Sequence, residues 1–261
     1  MIRFDDQPPM SPAADEWANS ALEKSEKYID KKISNLSYYG ENKHQRIYEL
    51  PKNISKQNIF IFYIHGGAWE FGYPEWVLFT YDYFKNYNIN LIAPGYRLSP
   101  KFKFVDQIKD ITDSINFIKK KYGEEIKIVI SGHSAGAHLA YYASKEIKVN
   151  GLMLSSGVYD LTTYTKKYVE QITDSTFTAK SISPIFDSYN TNTPILLTYS
   201  SAEEKVYITQ SENFYNKIKN LNIKNKNFIF DNTDHYHELN AMNKNNLDWD
   251  NIFCEWLNSL I

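Results

Sequence analysis

Short, continuously apolar runs recur along the chain, and amphipathic stretches of helical length lie between most of them. The apolar runs cover 59–64, 89–93, 126–130, 151–154, 194–199 and 227–230. The helix-like stretches cover 76–87, 105–122, 135–145, 207–221 and 247–260. Strands that are apolar on both faces are typical of parallel sheets covered by helices on each side. The pattern therefore predicts an α/β fold with a mostly parallel sheet.

The segment before the first apolar run predicts two further elements. Ser11 as N-cap and Pro12 at the first helical position indicate a helix that runs to about Ile33. Residues 36–50 indicate a short hairpin of edge strands. No linker or repeat divides the chain, so we expect one domain over residues 1–261.

One interval, 157–193, is much longer than an ordinary connection in a compact domain. Connections of that length are usually functional or carry small helices of their own, and we interpret this one as a cap over the site. Tyr159 at its start is a candidate for the wall of a substrate pocket. Its aromatic residues could equally pack the insertion against the body of the domain.

Composition and charge exclude several classes of protein. The 261 residues contain 29 Lys and Arg and 31 Asp and Glu, a net charge of −2 without a basic block, which argues against a nucleic-acid partner. The single cysteine, Cys254, excludes internal disulfides and cysteine-rich zinc sites. The apolar runs are too short to span a membrane, and the charged residues within 1–10 do not resemble a secretory signal. We therefore expect a cytoplasmic protein.

Residues 132–136 read Gly-His-Ser-Ala-Gly, at the point where the strand-like run 126–130 passes into the helix-like stretch 135–145. A serine raised on so sharp a turn needs small residues two positions to either side, so that strand and helix can approach each other. The placement of the pentapeptide predicts that Ser134 is a nucleophile. A hydroxyl is a weak nucleophile, so Ser134 needs a base within hydrogen-bond reach.

Residues 65–69 read His-Gly-Gly-Ala-Trp and directly follow the strand-like run 59–64. A double glycine at this point lets backbone N–H groups face a cavity, where they can stabilise the oxyanion of acyl transfer. We predict an oxyanion hole made by the N–H groups of Gly67, Ala68 and Ala135. Trp69 is a second candidate for the substrate pocket. His65 is expected to orient the loop and not to act as the base.

The predicted base is His235, because it lies in the loop after the last strand-like run. His237, two residues further on, is the alternative. His133 and His138 belong to the turn and its helix and are expected to be packing or surface groups. His44, in the early hairpin, is expected at the surface.

The third member should be a carboxylate after the penultimate strand, where it can orient the imidazole. Glu203 is our prediction and Glu204 is the alternative. Asp160 is a weaker rival, since it is more simply explained as an anchor of the insertion through a turn hydrogen bond. The order Ser, Glu, His along the chain is the one found in α/β-hydrolases.

No metal or cofactor site is expected. The stretch from His235 to Glu238 lacks the His-Glu-x-x-His spacing, and no third ligand cluster accompanies it. No glycine-rich dinucleotide loop or phosphate-binding lysine loop follows a predicted strand.

Five segments resemble the kynurenine formamidase-like α/β-hydrolases, which are relatives of the hormone-sensitive-lipase esterases. They are 65–69, 95–100, 132–139, 156–161 and 234–236, and the resemblance spans nearly the whole chain. It implies a serine triad, with Ser134 as nucleophile, His235 as base and the acid at Glu203, where the family usually has Asp. The usual glycine before the acid is also replaced, since residues 200–202 read Ser-Ser-Ala.

The resemblance implies hydrolysis of N-formylkynurenine or of small, activated esters, and the sequence does not separate these two activities. We expect a cofactor-free serine hydrolase with a Ser-His-Glu triad that forms an acyl-enzyme on a small-molecule substrate. A peptidase and a non-catalytic ligand-binding protein on the same fold are the alternatives. The oligomeric state stays open, with a homodimer as one option.

Overall fold

A computed structural model of the chain describes residues 7–188, 193–221, 224–236, 238–244 and 246–260. The strands of this part of the chain are Asn35–Tyr38 (β1), Arg46–Leu50 (β2), Phe60–Ile64 (β3), Asn90–Pro94 (β4), Ile128–His133 (β5), Gly151–Ser155 (β6), Ile195–Ser200 (β7) and Lys226–Phe230 (β8). They form one sheet in the order β1-β2-β4-β3-β5-β6-β7-β8. Neighbouring strands from β4 to β8 pair in parallel, whereas β2 is antiparallel to β1 and to β4. The predicted mostly parallel sheet is confirmed.

The helices of the described residues are Pro12–Ile29 (α1), Tyr81–Phe84 (α2), Phe104–Tyr122 (α3), Ala135–Glu146 (α4), Lys166–Ile172 (α5), Lys205–Ile218 (α6), Glu238–Met242 (α7) and Leu247–Asn258 (α8). Helix α1 begins as predicted, because the Ser11 hydroxyl accepts a hydrogen bond from the N–H of Ala14. The end predicted for this helix, at about Ile33, was too late by one turn.

Three local predictions were wrong. The stretch 76–87 is not one helix but a series of short 3₁₀ turns around α2. Residues 76–79 are all buried. A regular helix packed on a sheet exposes one of its sides to solvent, so it could not bury four consecutive residues. In the hairpin, only β1 is an edge strand, since β2 also pairs with β4. His44 is buried because the loop between β1 and β2 packs against Gly95.

The central strands alternate their side chains between two cores. On β3, Phe60, Phe62 and Ile64 pack in the core beneath α3, α4 and α6, whereas Ile61 and Tyr63 face the core beneath α1 and α8. All five residues are fully buried. This two-residue period explains why the strands read as continuous apolar runs and why both faces of the sheet carry helices.

The carboxyl ends of the parallel strands lie at one edge of the sheet, where open α/β sheets bind their ligands. The loops after β3, β5, β6, β7 and β8 therefore converge at this edge. Every described helix is too short or too polar to span a membrane. The cytoplasmic location stays a prediction.

Candidate active site

Ser134 occupies the sharp turn between β5 and α4, with a backbone φ of 55° and ψ of −123°. A non-glycine residue in this region is strained, and such strain concentrates at functional sites. A Cβ atom on Gly132 would lie 2.3 Å from the carbonyl oxygen of Gly136, and one on Gly136 would lie 2.3 Å from that of Ile64. Both glycines are therefore required by the close approach of strand and helix.

Three of the predicted residues meet at the edge of the sheet. The Ser134 hydroxyl oxygen lies 2.9 Å from Nε2 of His235, and Nδ1 of His235 lies 2.8 Å from Oε2 of Glu203. The second carboxylate oxygen of Glu203 accepts hydrogen bonds from the Ser200 N–H at 2.7 Å and from the Ser156 hydroxyl at 2.6 Å. Both oxygens of this buried carboxylate are thus fixed in direction.

The alternative acids, Glu204 and Asp160, do not contact His235, and the alternative base, His237, lies outside the described residues. Glu204 is exposed at the N-cap of α6. The Asp160 side chain accepts the N–H of Thr162 at 2.9 Å, which is the turn hydrogen bond expected of an anchor.

Three other histidines are buried and support the site through backbone carbonyls. His65 donates from Nδ1 to the Gly66 carbonyl at 2.7 Å, and burial lowers its pKa to about 3. His138 donates from Nε2 to Ile182 at 2.7 Å, and burial lowers its pKa to about 4. His133 donates from Nε2 to the carbonyl of His235 at 2.8 Å. Burial, with a smaller contribution from His235, holds the pKa of His133 well below its usual range. All three are therefore neutral at pH 7.

The loop after β3 has three successive residues with positive φ: Gly67 at 114°, Ala68 at 51° and Trp69 at 64°. A Cβ on Gly67 would lie 2.3 Å from the carbonyl oxygen of Phe71. Within the described part of the chain, the N–H groups of Gly67 and Ala68 donate to no other protein group. Ala135 is the first residue of α4, where backbone N–H groups lack a helical partner. These three N–H groups are available to an external acceptor.

A cavity of about 250 Å³ opens at Ser134 and His235. Its walls are largely aromatic, and they include Trp17, Phe71, Trp76, Tyr207 and Tyr236, with Met10 and the 66–68 backbone completing them. The Tyr207 ring is stacked on the His235 ring with 4.6 Å between the centroids. None of the described residues that line the cavity is Asp, Glu, Lys or Arg.

Trp69 and Tyr159, predicted as pocket residues, do not line this cavity. Trp69 is buried, and its indole N–H donates to His138 at 3.3 Å. Tyr159 is fully buried and stacks on Phe214 at 4.4 Å. Both side chains belong to the hydrophobic core that also contains residues of α3, α4 and α6.

Part of the cavity wall comes from the N-terminal segment instead. The side-chain amide of Gln7 both donates to and accepts from the backbone of Gly72, at 3.2 and 3.1 Å, which holds Pro9 and Met10 at the cavity. The described residues of 157–193 do not line the cavity, although the Tyr168 hydroxyl donates to the Ala68 carbonyl at 3.3 Å. That this insertion acts as a cap stays a prediction.

Comparisons with known proteins find similar hydrolases. The BD-FAE family model matches residues 46–174. The kynurenine formamidase of Salmo salar is 26% identical over 198 residues, which are 69% of this chain and 67% of that protein. The kynurenine formamidase of Danio rerio is 25% identical over 76% of this chain and 73% of that protein. The chain is an α/β-hydrolase that is similar to kynurenine formamidases.

The fold of this hydrolase also matches that of solved esterases. An esterase of Pyrobaculum calidifontis superposes with a TM-score of 0.74 at 15% identity, covering 100% of this chain and 96% of that one. At this identity the likeness concerns the fold alone. The predicted fold class and family are confirmed.

The hydrolase site also contains residues that were not predicted to belong to it. Ser156 contacts the Glu203 carboxylate, His133 holds the loop of His235, and Trp17 of α1 forms part of the cavity wall. Ser156 follows the buried strand β6, so the rule that found the other residues, polar groups after strands, could have found it. Nothing local in the sequence indicates that α1 reaches the site. In the described ranges, no group of three or more His, Cys, Asp or Glu side chains is arranged to hold a metal ion.

Proposed function

We propose that this hydrolase cleaves small carboxylic esters or N-formyl aryl amides such as N-formylkynurenine, through an acyl-enzyme on Ser134. The observation that carries the proposal is the continuous hydrogen-bonded chain from Ser134 through His235 to Glu203, with distances of 2.9 and 2.8 Å. The names of the curated relatives support the formamide as one substrate class. The two buried carboxylate contacts of Glu203 support its role as the acid.

In the proposed first half-reaction, His235 accepts the Ser134 proton at Nε2 while the serine oxygen attacks the carbonyl carbon. The Glu203 carboxylate holds Nδ1–H and stabilises the imidazolium. The oxyanion of the tetrahedral intermediate accepts hydrogen bonds from the N–H groups of Gly67, Ala68 and Ala135. Collapse breaks the bond to the leaving alcohol or amine, which takes the proton back from His235.

The second half-reaction repeats these steps with water. His235 deprotonates the water, the resulting oxygen nucleophile attacks the acyl carbon, and Ser134 leaves with the proton returned by His235. The products are the carboxylic acid and free enzyme. All proton transfers pass through one imidazole, so no further acid or base is needed.

A substrate series tests this function. We expect turnover of both p-nitrophenyl acetate and N-formylkynurenine by the purified protein, because the cavity of about 250 Å³ admits one aryl group and a small acyl group. p-Nitrophenyl octanoate should show a kcat/KM at least about 10-fold lower, since part of its chain stays outside the cavity. The neutral acetate ester should have a lower KM than N-formylkynurenine, whose ionised amino-acid end finds no charged partner among the described lining residues. Turnover of none of the three compounds would contradict the proposal.

The oxyanion loop gives a second prediction. Gly67→Ala should lower kcat by about 10²-fold with little change in KM, because the new Cβ meets the Phe71 carbonyl and forces the loop away from the reacting oxygen. The matched control is Gly123→Ala. Gly123 has the same φ, 115°, but open space around the Cβ position, and it follows α3 far from the cavity. Equal losses of kcat in both variants would show that backbone strain, not the oxyanion loop, lowers the activity.

A further inference from the structure

A second buried carboxyl group lies behind the Glu203–His235 pair. Ser156, just after β6, has a φ of 43°, and its hydroxyl lies between two glutamates. It is 2.6 Å from Oε1 of Glu203 and in hydrogen-bond contact with Oε2 of Glu238. Ser156 and Glu238 have no exposed surface. A strained serine backbone thus positions one hydroxyl between two carboxyl groups.

Glu238 is the first residue of α7, three positions after His235. Its second oxygen, Oε1, accepts a hydrogen bond from the hydroxyl of Thr198 on β7. The Thr198 oxygen also lies 2.9 Å from the hydroxyl of Ser155. Both oxygens of Glu238 are therefore held by hydroxyl groups, and this side chain has a fixed orientation although the proposed mechanism does not use it.

The hydrogen bonds among Glu203, Ser156 and Glu238 determine the protonation state of Glu238. Ser156 has one hydroxyl proton and cannot donate to two carboxylates at once. If Ser156 donates to Glu203, its oxygen needs a donor, and Glu238 can supply one only as the neutral acid. A neutral Glu238 also removes the repulsion between two buried negative charges. One arrangement satisfies every contact: Glu238 donates to Ser156, Ser156 donates to Glu203, Thr198 donates to Glu238, and Ser155 donates to Thr198.

We propose that Glu238 is a positioning residue, a neutral carboxylic acid that fixes the Glu203 carboxylate through Ser156. This inference rests on the proposed function, because Glu203 matters only if it orients His235. With Oε1 of Glu203 held by Ser156 and by the Ser200 N–H, Oε2 is directed at Nδ1 of His235. A hydrogen bond to an ionised group is stronger than one between neutral groups, so these contacts favour one orientation of the carboxylate.

The electrostatic surroundings favour the neutral form. Burial, with a smaller contribution from the charge of Glu203, raises the pKa of Glu238 to about 8. Among the described residues, the other titratable groups that face Glu238 are Tyr63 on β3 and Tyr159 after β6. Burial raises the pKa of both phenols, so both stay neutral and add no charge near pH 7.

Two substitutions of Glu238 with opposite expected outcomes test its role in catalysis. Glu238→Gln keeps one donor for Ser156 and one acceptor for Thr198, so kcat/KM for p-nitrophenyl acetate should stay within about 3-fold of wild type. Glu238→Leu keeps the volume but removes both hydrogen bonds. Its kcat should fall about 10- to 100-fold while KM stays within about 2-fold, since the lost contacts orient the triad and do not touch substrate. Ser156→Ala should behave like Glu238→Leu.

The pH profile separates a neutral Glu238 from an ionised one. If Glu238 is neutral, Glu238→Gln leaves the midpoint of the acidic limb of kcat/KM unchanged. If it is ionised, the same substitution removes a negative charge near the imidazole and moves that midpoint to lower pH. A shift of about half a unit or more, or wild-type kcat in folded Glu238→Leu, would overturn the proposal.

A stability measurement tests the proton on Glu238 even if the protein proves to hydrolyse nothing. A carboxyl whose pKa rises on folding from 4.5 to about 8 stabilises the folded state fully below pH 4.5, and this contribution is lost as the pH rises towards 8. Glu238→Gln has no such proton. The Tm of wild type minus that of Glu238→Gln should therefore fall steadily between pH 5 and 8 and level off above. A constant difference would show that Glu238 is ionised in the folded protein. If the protein hydrolyses no ester but the Tm difference still falls between pH 5 and 8, the proposed function is rejected and the proton on Glu238 is not.

Discussion

Ser134→Ala is expected to lower kcat/KM for p-nitrophenyl acetate by about 10⁴-fold or more and to abolish labelling by a fluorophosphonate probe. The reason is that the serine oxygen is the only hydroxyl held 2.9 Å from Nε2 of His235 among the described residues. Without it, the oxyanion loop and the cavity can still bind an ester, but no acyl-enzyme can form. Mass spectrometry of the labelled wild-type protein should locate the adduct on Ser134.

The matched control is Ser144→Ala, ten residues further along on α4. Ser144 is half-buried and its hydroxyl donates only to the Tyr141 carbonyl of its own helix. Its replacement should leave labelling and turnover at the wild-type level. Labelling that persists in folded Ser134→Ala would place the nucleophile at another residue and reject the proposed mechanism.

The features that the sequence predicted well depend on short stretches of chain. The elbow at Ser134 follows from the local steric requirement of two glycines around a sharp turn, which the contacts of Gly132 and Gly136 bear out. The positions of the central strands β3 to β7 follow from apolar runs that are buried on both faces. Ser134, Glu203 and His235 are far apart in the sequence. They could still be predicted to lie close together, because the carboxyl ends of parallel strands lie at one edge of the sheet.

The features that the sequence missed depend on contacts between distant parts of the chain. Trp69 was predicted to line the pocket, but its N–H finds a partner in His138 within the core. Part of the cavity wall comes instead from residues 9–17, and the hydrogen bonds of Gln7 hold this segment to Gly72. No periodicity or spacing links these segments, because their contact is set by how α1 packs on the finished sheet.

The contacts of Ser156 with Glu203 and Glu238 could not be predicted from the sequence either. Each residue follows a strand or begins a helix at the edge of the sheet, so its neighbourhood could be predicted. Which carboxyl group faces His235, and which one lies behind it, depends on side-chain directions that the sequence does not specify. The place after β7 fits both Glu203 and Glu204, and the resemblance to the family implied the acid at Glu203. The positions of these two adjacent acids make them a natural pair for a test.

Glu203→Gln is expected to lower kcat by about 10³- to 10⁴-fold, because the amide enforces the wrong tautomer of His235. The atom that replaces Oε1 faces the fixed N–H of Ser200 at 2.7 Å, so it must be the amide oxygen. The amide NH₂ then takes the place of Oε2, 2.8 Å from Nδ1 of His235, and donates to it. This fixes the proton on Nε2, and the imidazole cannot accept the proton of Ser134.

The neighbouring acid provides the control for this result. Glu204→Gln removes the same charge one residue away, but Glu204 is exposed at the N-cap of α6 and its side chain makes no capping hydrogen bond. We expect kcat for p-nitrophenyl acetate to stay within about 2-fold of wild type, since a solvated charge at this distance is largely screened. Equal losses in the two variants would attribute the effect to the charge of the loop. A larger loss in Glu204→Gln would assign the triad acid to Glu204 and remove the basis for the orienting role of Ser156.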